Sequence, residues 1–486
     1  MQLFKFIGNA GHLIINSFWS IKCIDEHKQA YIACLTFTAF IMVAACRGFV
    51  AFQLPQLKSP GSDIRVTEDE ASWIATLTIL PNPIGCVLGG MLMDLIGRKT
   101  TLQLIFIPFA VAWAIIGFSV NVQMLYIGTF IAGVAAGACY CSSTYIAEVC
   151  SPEHRGPLLG FLEPTYTFGI LICNLLVHNF GWRVSALGFI IVSCVCFVLL
   201  FFLPESPSWL VTKGRNKKAL SILTWIRGNP GDAEREIAEI ENSLGFSSKD
   251  SKTISGSLHA VMKSWKPLVM LIGLVTLQRV CGCPILESYT VEFFGHLKLP
   301  FDSSLAAIYH STTNFITSFF TPFAVQKTPR RVLLGVTSFV MGIAMLVVTV
   351  YEMNFHGDQA QPYFWIVLAS VYIYDVASTL GVLPLPFILS GELFPTKNRG
   401  ALNGIYGCFS FLISAAVVKT FTRFLDAIGI VNVVFSYAIV CFITIAYGKF
   451  ILPETSNKTL PEIQIKYFNK KTKKQVDDNT YVEEQA

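Results

Sequence analysis

The chain has 486 residues, of which 53% are hydrophobic and only 14% are Asp, Glu, Lys or Arg. Soluble domains carry about 25% charged residues, so this chain has too few charges to cover the surfaces of the roughly three soluble domains that its length would allow. The net charge of +5 is small and spread along the chain, which argues against a nucleic-acid-binding protein. The composition therefore predicts a membrane protein.

Long apolar stretches follow one another along the whole chain, each of about 20 residues, the length that crosses a hydrocarbon core roughly 30 Å thick. They lie at 30–54, 71–93, 100–119, 122–144, 157–177, 183–203, 267–291, 303–325, 332–351, 363–390, 400–422 and 428–452. The stretches do not alternate as the strands of a barrel do. We predict an all-α membrane protein with twelve transmembrane helices, called spans 1 to 12 below.

A polar segment divides these spans into six and six, so we expect two six-helix bundles. The predicted parts are a cytosolic N-terminal segment at 1–29, a first bundle at 30–203, a cytosolic linker with short helices at 204–266, a second bundle at 267–452 and a cytosolic tail at 453–486. Most Lys and Arg residues fall on the face that both termini share, and positive residues collect on the cytosolic side. Both termini are therefore predicted to be cytosolic.

Each half repeats the same charged signatures at the cytosolic ends of its spans. A basic residue follows the second span, a Glu and an Arg seven residues apart follow the fourth, and a Pro-Glu pair follows the sixth. These residues are Asp94, Arg98, Glu148, Arg155 and Glu205 in the first half and Arg330, Glu392, Arg399 and Glu454 in the second. Such repetition indicates two tandem six-span repeats. Because carboxylates and guanidinium groups can pair across the two bundles, we predict that these residues form a cytosolic gate.

These signatures resemble those of the major facilitator superfamily and, within it, the sugar porter family, from about residue 31 to residue 460. The arrangement is most similar to the insect branch that includes facilitated trehalose transporters. The resemblance implies two six-helix bundles around a central cavity, and a secondary transporter that has no enzymatic activity and needs no cofactor.

The resemblance also implies which residues contact the substrate. The matching positions are Glu163 in span 5, Gln278 and Arg279 in span 7, Asn314 in span 8, Phe387 in span 10 and Ser410 in span 11. Gln278 and Asn314 keep the family's amides, whereas Glu163, Arg279 and Ser410 replace amides and Phe387 replaces a Trp. Sugar hydroxyls need donors and acceptors in pairs, and their C–H faces pack on aromatic rings.

Span 10 contains two prolines, Pro384 and Pro386, which break the helical hydrogen-bond ladder. Because this position lies beside the expected cavity, we predict a hinge there.

Four charged residues that lie inside spans need an explanation, because ionisable groups are costly there and face a cavity or a partner. Arg47 and Asp375 join Glu163 and Arg279 in this group. Either the four groups neutralise one another, or they bind a charged substrate or carry protons. Proton-coupled sugar porters carry an acidic residue in span 1, and this chain has Arg47 but no acid there, which favours facilitated transport.

We therefore predict a transporter that moves a hexose or a trehalose-like disaccharide across the plasma membrane by alternating access, as a monomer and without a metal. Two alternatives remain open: a carrier of a charged organic solute on the same fold, and a nutrient sensor that has lost transport. The sequence shows no nucleophile constellation or phosphate-binding loop, so an enzyme is not expected.

Overall fold

A computed structural model describes residues 24–139, 141–151, 158–247, 265–298, 300–355, 363–394 and 399–455. The segment 1–23, the segment 456–486 and Arg155 lie outside these ranges, as does the side chain of Arg399. All the regular structure within the described ranges is helical.

The first half begins with a long helix and ends with two spans that are continuous in the chain. Its helices are α1 (Ile24–Lys58), α2 (Glu68–Leu77), α3 (Asn82–Ile96), α4 (Arg98–Gly117), α5 (Val122–Ala138), α6 (Cys141–Val149) and α7 (Leu162–Leu199). Span 2 consists of α2 and α3, and span 4 of α5 and α6. The helix α7 contains spans 5 and 6, which Gly181 separates with a non-helical backbone (φ 75°, ψ 164°).

Short helices follow in the predicted linker: α8 (Pro207–Thr212), α9 (Asn216–Arg227) and α10 (Pro230–Ser247). They share a small apolar core in which Trp209 and Leu210 of α8 pack with Ala219 of α9 and Ile237 of α10. The indole N–H of Trp209 donates to the backbone oxygen of Asp94 at 3.1 Å. The linker helices are therefore attached to the predicted cytosolic end of the first half.

The second half repeats this order with more interruptions. Its helices are α11 (Trp265–Val280), α12 (Cys283–Ser288), α13 (Thr290–His296), α14 (Ser303–Ser318), α15 (Thr321–Lys327), α16 (Arg330–Phe355), α17 (Phe364–Ala377), a π-helical turn (Ser378–Val382), α18 (Leu385–Leu393) and α19 (Arg399–Phe450). Span 7 comprises α11 to α13, span 8 comprises α14 and α15, and span 10 comprises α17, the π-helical turn and α18. Spans 11 and 12 form α19, with Gly429 between them.

Eight helical stretches of the described ranges are long and apolar enough to cross a membrane. Two of them, 158–202 and 402–450, hold two spans each, and spans 7 and 8 are divided into shorter helices. The described helices thus match the twelve predicted spans. Between the halves, α1 packs against α12 and α13, α7 against α14, and α2 against α19.

Gly429 provides a direct test of the turn between spans 11 and 12. Its backbone (φ 75°, ψ 162°) lies in a region that essentially only glycine adopts, although no atom would obstruct a Cβ there. We expect Gly429→Ala to lower the stability by about 1–3 kcal/mol through backbone strain alone, measured as a lower midpoint of thermal unfolding in detergent. Gly335→Ala, at an equally open position within α16, is the control and should not lower the midpoint. Equal midpoints for both variants would contradict this account of the turn.

Candidate substrate site and gates

The break in span 10 and Gln278 of span 7 form one structural unit. Pro386 has no N–H to offer the backbone oxygen of Val382, four residues earlier. The side-chain Nε2 of Gln278 donates instead to the backbone oxygens of Val382 at 3.1 Å and of Leu383 at 2.9 Å. Pro384 caps the start of α18 directly after this point. The predicted hinge residues are therefore tied to a predicted substrate residue.

Gln278 still has hydrogen-bonding capacity. Its side chain is 1% exposed, and its Oε1 atom has no hydrogen-bond partner among the described residues. The helix of span 7 is interrupted just beyond Gln278, between α11 and α12, where Gly282 has a φ of 108°. A Cβ at Gly282 would lie 2.7 Å from the Tyr437 ring, so both the backbone angle and the close approach require glycine.

Asn314 lies in a polar network between span 8 and span 10. Its Nδ2 donates to Asp375 Oδ1 at 3.1 Å, and its Oδ1 accepts from the Thr379 hydroxyl. The Nε2 atom of His310, one helical turn earlier in α14, lies 3.1 Å from the same Asp375 oxygen. The structure thus gives Asp375 a partner, His310, that the sequence analysis did not identify.

Arg279, Ser410 and Glu163 are brought together where the two halves meet. Arg279 Nη2 donates to the Ser410 hydroxyl at 3.1 Å. Glu163, in the first turn of α7, is within electrostatic range of Arg279 and of Glu287 in α12. Tyr166, one turn further along α7, donates its hydroxyl to Glu287. Of the four charges predicted inside spans, Glu163 and Arg279 are therefore two that interact electrostatically across the halves.

Arg47 and Phe387 lie apart from this group. Arg47 is 7% exposed and donates from Nη2 to the amide oxygen of Asn82 at 3.2 Å, so it is enclosed in the first half. Phe387 is 49% exposed and makes an edge-to-face contact with Tyr406, at 6.3 Å between ring centroids. Arg47 and Asp375, the two predicted cavity charges, are thus buried within separate halves.

The repeated charged residues of the first half form a compact cluster at the predicted cytosolic face. Arg98 donates from Nε and Nη2 to the two Glu148 oxygens, both at 2.9 Å, and its Nη1 lies 3.3 Å from Asp94. Glu205 accepts from the backbone N–H groups of Arg98 and Lys99, the first of α4, at 2.8 and 3.0 Å. A carboxylate stabilises a helix N-terminus in this position.

The second half contains a cluster with the same main contacts. Arg330 donates from Nη2 to Glu392 at 3.0 Å. Glu454 accepts from the backbone N–H groups of Arg330 and Arg331 at 3.1 and 3.0 Å, at the start of α16. A hydroxyl completes both clusters, since Ser206 donates to Glu148 and Thr455 donates to Glu392.

These described pairs differ from the predicted arrangement, in which carboxylates and guanidinium groups paired across the two bundles. Arg98–Glu148 and Arg330–Glu392 each join elements of the same half. The helix N-terminus beside each arginine explains the preference, because Glu205 and Glu454 already bind there and hold the local geometry. Arg155 and the Arg399 side chain lie outside the described residues, so their predicted role at the gate is not tested.

Ion pairs that do cross between the halves lie at the opposite, predicted outer face. Lys58, the last residue of α1, is 2.6 Å from Glu68 and 2.9 Å from Glu292 of the second half. Glu292 lies in α13, one residue beyond the predicted end of span 7 at residue 291. We call this group the Lys58 pair.

A second cross-half contact lies nearby. Asp69, in the first turn of α2, is 2.9 Å from Lys419 and 3.0 Å from Arg423, both in α19. Lys419 also donates to the Ser72 hydroxyl at 2.7 Å. We call this group the Asp69 pair. Both pairs hold the halves together at the predicted outer face, and neither belongs to the repeated signatures.

Known proteins match this chain over most of its length. A family model described as "Sugar (and other) transporter" matches residues 29–467. A facilitated trehalose transporter, Tret1, of Polypedilum vanderplanki is 32% identical over 412 residues, which cover 83% of this chain and 81% of that protein. Tret1 of Drosophila pseudoobscura pseudoobscura is 30% identical over 429 residues, covering 86% of this chain and 49% of that protein. The chain thus spans about half the length of the Drosophila relative.

Solved structures show the same fold. The Escherichia coli xylose transporter XylE in an inward-open conformation has a TM-score of 0.75 at 21% identity and covers 90% of this chain and 99% of that one. XylE bound to 6-bromo-6-deoxy-D-glucose, described as a major facilitator superfamily proton:xylose symporter, has a TM-score of 0.73 at 20% identity and covers 91% of this chain and 100% of that one. The predicted fold of two six-helix bundles is confirmed, and the chain belongs to the sugar transporter family.

Proposed function

We propose that this chain moves a neutral sugar, a hexose or a trehalose-like disaccharide, across the plasma membrane by facilitated transport, as a monomer with both termini in the cytosol. The observation that carries the proposal is the placement of two amides, Gln278 and Asn314, at the break in span 10 of a sugar-transporter fold. The relatives named as facilitated trehalose transporters support the substrate class.

The remaining hydrogen-bonding capacity of the site suits sugar hydroxyls. Gln278 has a free acceptor in Oε1. Asn314 uses one N–H on Asp375 and one lone pair on Thr379, which leaves one donor and one acceptor. The Ser410 hydroxyl accepts from Arg279 and so keeps its own proton to donate. Such mixed donors and acceptors suit neutral hydroxyls, which favours a sugar over a charged solute.

Alternating access then requires the contacts at the two faces to form and separate in turn. In the described conformation the Lys58 pair and the Asp69 pair hold the predicted outer face together. The clusters around Arg98 and Arg330 hold each half as a rigid unit at the predicted cytosolic face. We infer that the halves rock about the site as such units, with the outer pairs separating when the cavity opens outwards.

Uptake into proteoliposomes tests the proposal. We expect saturable uptake and counterflow of trehalose or glucose without an imposed proton gradient. Asn314→Ala should reduce uptake at low sugar concentration at least tenfold, because it removes a donor and an acceptor that the sugar uses, a loss on the order of 1.4 kcal/mol or more.

Thr313→Ala is the matched control on the same helix, since its hydroxyl donates to the Tyr309 backbone oxygen within α14. That variant should transport like the wild type. If no mono- or disaccharide shows counterflow while the protein is folded, the sugar assignment is wrong.

A further inference from the structure

A buried imidazole–carboxylate pair lies beside the proposed sugar ligand Asn314. The side chains of His310 and Asp375 are each 6% exposed, and Nε2 lies 3.1 Å from Oδ1. The other carboxylate oxygen, Oδ2, is buried without a hydrogen-bond partner among the described residues. An isolated carboxylate is costly inside a membrane, whereas a carboxylate beside a protonated imidazole forms a neutral pair.

We propose that His310 and Asp375 form a proton-binding site that controls how Asn314 is presented to the sugar. This inference rests on the proposed function, in which Asn314 contacts the substrate. The proton is held at the site, and transport remains facilitated.

The link between proton and sugar runs through a single oxygen. Asp375 Oδ1 accepts a hydrogen bond from Asn314 Nδ2 and also lies 3.1 Å from His310 Nε2, within ion-pair range but without a hydrogen bond between the two, so the imidazole and the amide contact the same oxygen. The Thr379 hydroxyl fixes the other end of the amide. With the proton bound, the carboxylate charge is compensated and the amide keeps this orientation. Without the proton, the buried charge at Asp375 is uncompensated and the network rearranges to solvate it.

The backbone at this site supports a functional assignment. Asp375 lies in the last turn of α17, directly before the π-helical turn that begins at Ser378. Insertions of this kind in helices are frequent at functional sites. Thr379, within the π-helical turn, also provides the backbone oxygen that accepts from the Thr321 hydroxyl at 3.0 Å. Asp375 and Thr379 both contact Asn314 at this irregular part of span 10.

The side chains that surround the pair are apolar, neutral or bonded elsewhere. Phe294 of α13 presents its ring edge to His310, with centroids 6.4 Å apart. Tyr372 of α17 donates its hydroxyl to the Ala306 backbone oxygen, and a phenol ordinarily titrates near pH 10. From α7, the neutral side chains Thr167 and Asn174 face α14.

The remaining charged groups on the packed elements have other described neighbours. Glu163 of α7 lies near Arg279, and Glu292 of α13 pairs with Lys58. His296, also in α13, is exposed and lies within electrostatic range of Glu292. A histidine is the side chain whose charge ordinarily changes between pH 5 and 8.

The test is the KM for sugar as a function of pH, with the same pH on both sides of the proteoliposome. For the wild type we expect KM to rise at least threefold from pH 5.5 to pH 7.5, with kcat changing less than twofold. His310→Gln keeps an N–H donor without a titratable proton, and Asp375→Asn keeps an oxygen acceptor without a charge. Both variants should show a KM that stays within twofold across this range, whatever its absolute value.

His178→Gln and His296→Gln are the controls, at exposed histidines outside the network, and both should retain the wild-type pH profile. A wild-type KM that does not vary with pH would overturn the proposal, and so would a wild-type profile in His310→Gln or Asp375→Asn.

A second measurement needs no substrate and separates the two proposals. Histidine-ring NMR of the full chain in detergent, with the His310 signal assigned through His310→Gln, should show a titration between pH 5 and 8 that Asp375→Asn shifts. If His310 does not titrate in that range, or titrates identically in Asp375→Asn, the proton site is excluded even where sugar transport is observed. If it titrates as expected while no sugar is carried, the proposed function fails and the proton site stands.

Discussion

Replacing Glu148 by Gln should reduce the maximal rate of transport at least tenfold without removing the protein from the membrane. Glu148 accepts two hydrogen bonds from Arg98 and one from Ser206, and these side chains are largely shielded from solvent. An amide has only one oxygen and turns an N–H donor towards the guanidinium group, so Arg98 loses part of its compensation. Breaking a buried pair costs about 3–5 kcal/mol, and partial exposure here reduces that figure.

The second half offers an internal repeat of this experiment. Glu392 occupies the equivalent place beside Arg330 and Thr455, so Glu392→Gln should lower the rate by a similar factor. Uptake at saturating sugar, normalised to the amount of folded protein, measures both variants.

Glu236→Gln is the control variant, because it removes an ion pair that lies outside the two charged clusters. Arg227 and Glu236 make two hydrogen bonds of 2.9 Å in the linker helices, with side chains 11% and 29% exposed, close to the burial of Arg98 and Glu148. This variant should keep most of its transport rate. Equal losses in Glu236→Gln and Glu148→Gln would show that the clusters stabilise the fold and have no special role in rocking.

The sequence was sufficient to predict the clusters because their residues recur at the same places in both halves. Arg98, Glu148 and Glu205 each have an equivalent in the second half, and the structure brings these three residues together. What spacing could not provide was the direction of pairing. Whether an arginine at a helix end meets a carboxylate of its own half or of the other depends on packing angles that no local pattern encodes.

His310 was missed for a different reason. A single histidine in an apolar helix is ambiguous, since it is as compatible with core packing as with a site. The available signal was its position four residues before Asn314, which places both on one face of α14. Its partner Asp375 is 65 residues further along the chain, and the π-helical turn that orients Asp375 leaves no clear mark in the sequence.

The contacts at the outer face were beyond prediction because they join residues about 230 and 350 positions apart. Lys58 and Glu292 lie at the ends of spans 1 and 7 and form an ion pair. Asp69 forms an ion pair with Lys419 of span 11. Each residue reads on its own as an ordinary charge at the end of a span. Only the contact between the two halves gives these charges a role, and we expect that contact to separate when the cavity opens outwards.

Neutralising both outer pairs in one variant, Asp69→Asn with Glu292→Gln, should shift the protein towards the conformation that is open at the outer face. Asp69 is 54% exposed, so solvent screens its contact and its contribution is small. Glu292 is 10% exposed and Lys58 is 22% exposed, so their contact contributes more. A loss of about 1–2 kcal/mol at the Lys58–Glu292 contact raises the ratio of outward-open to closed molecules about fivefold to thirtyfold.

Hydrogen–deuterium exchange measures this shift without added labels. Backbone amides at the outer ends of α2 and α13 should exchange faster in the double variant, because separation of the halves exposes them to water. Asp63→Asn is the control, since Asp63 faces Arg183 at 3.6 Å within the first half and on the same face. The exchange of the α2 and α13 amides in Asp63→Asn should match that of the wild type. Unchanged exchange in α2 and α13 of the double variant would mean that apolar packing of α1 on α12 and α13, rather than charge, closes the outer face.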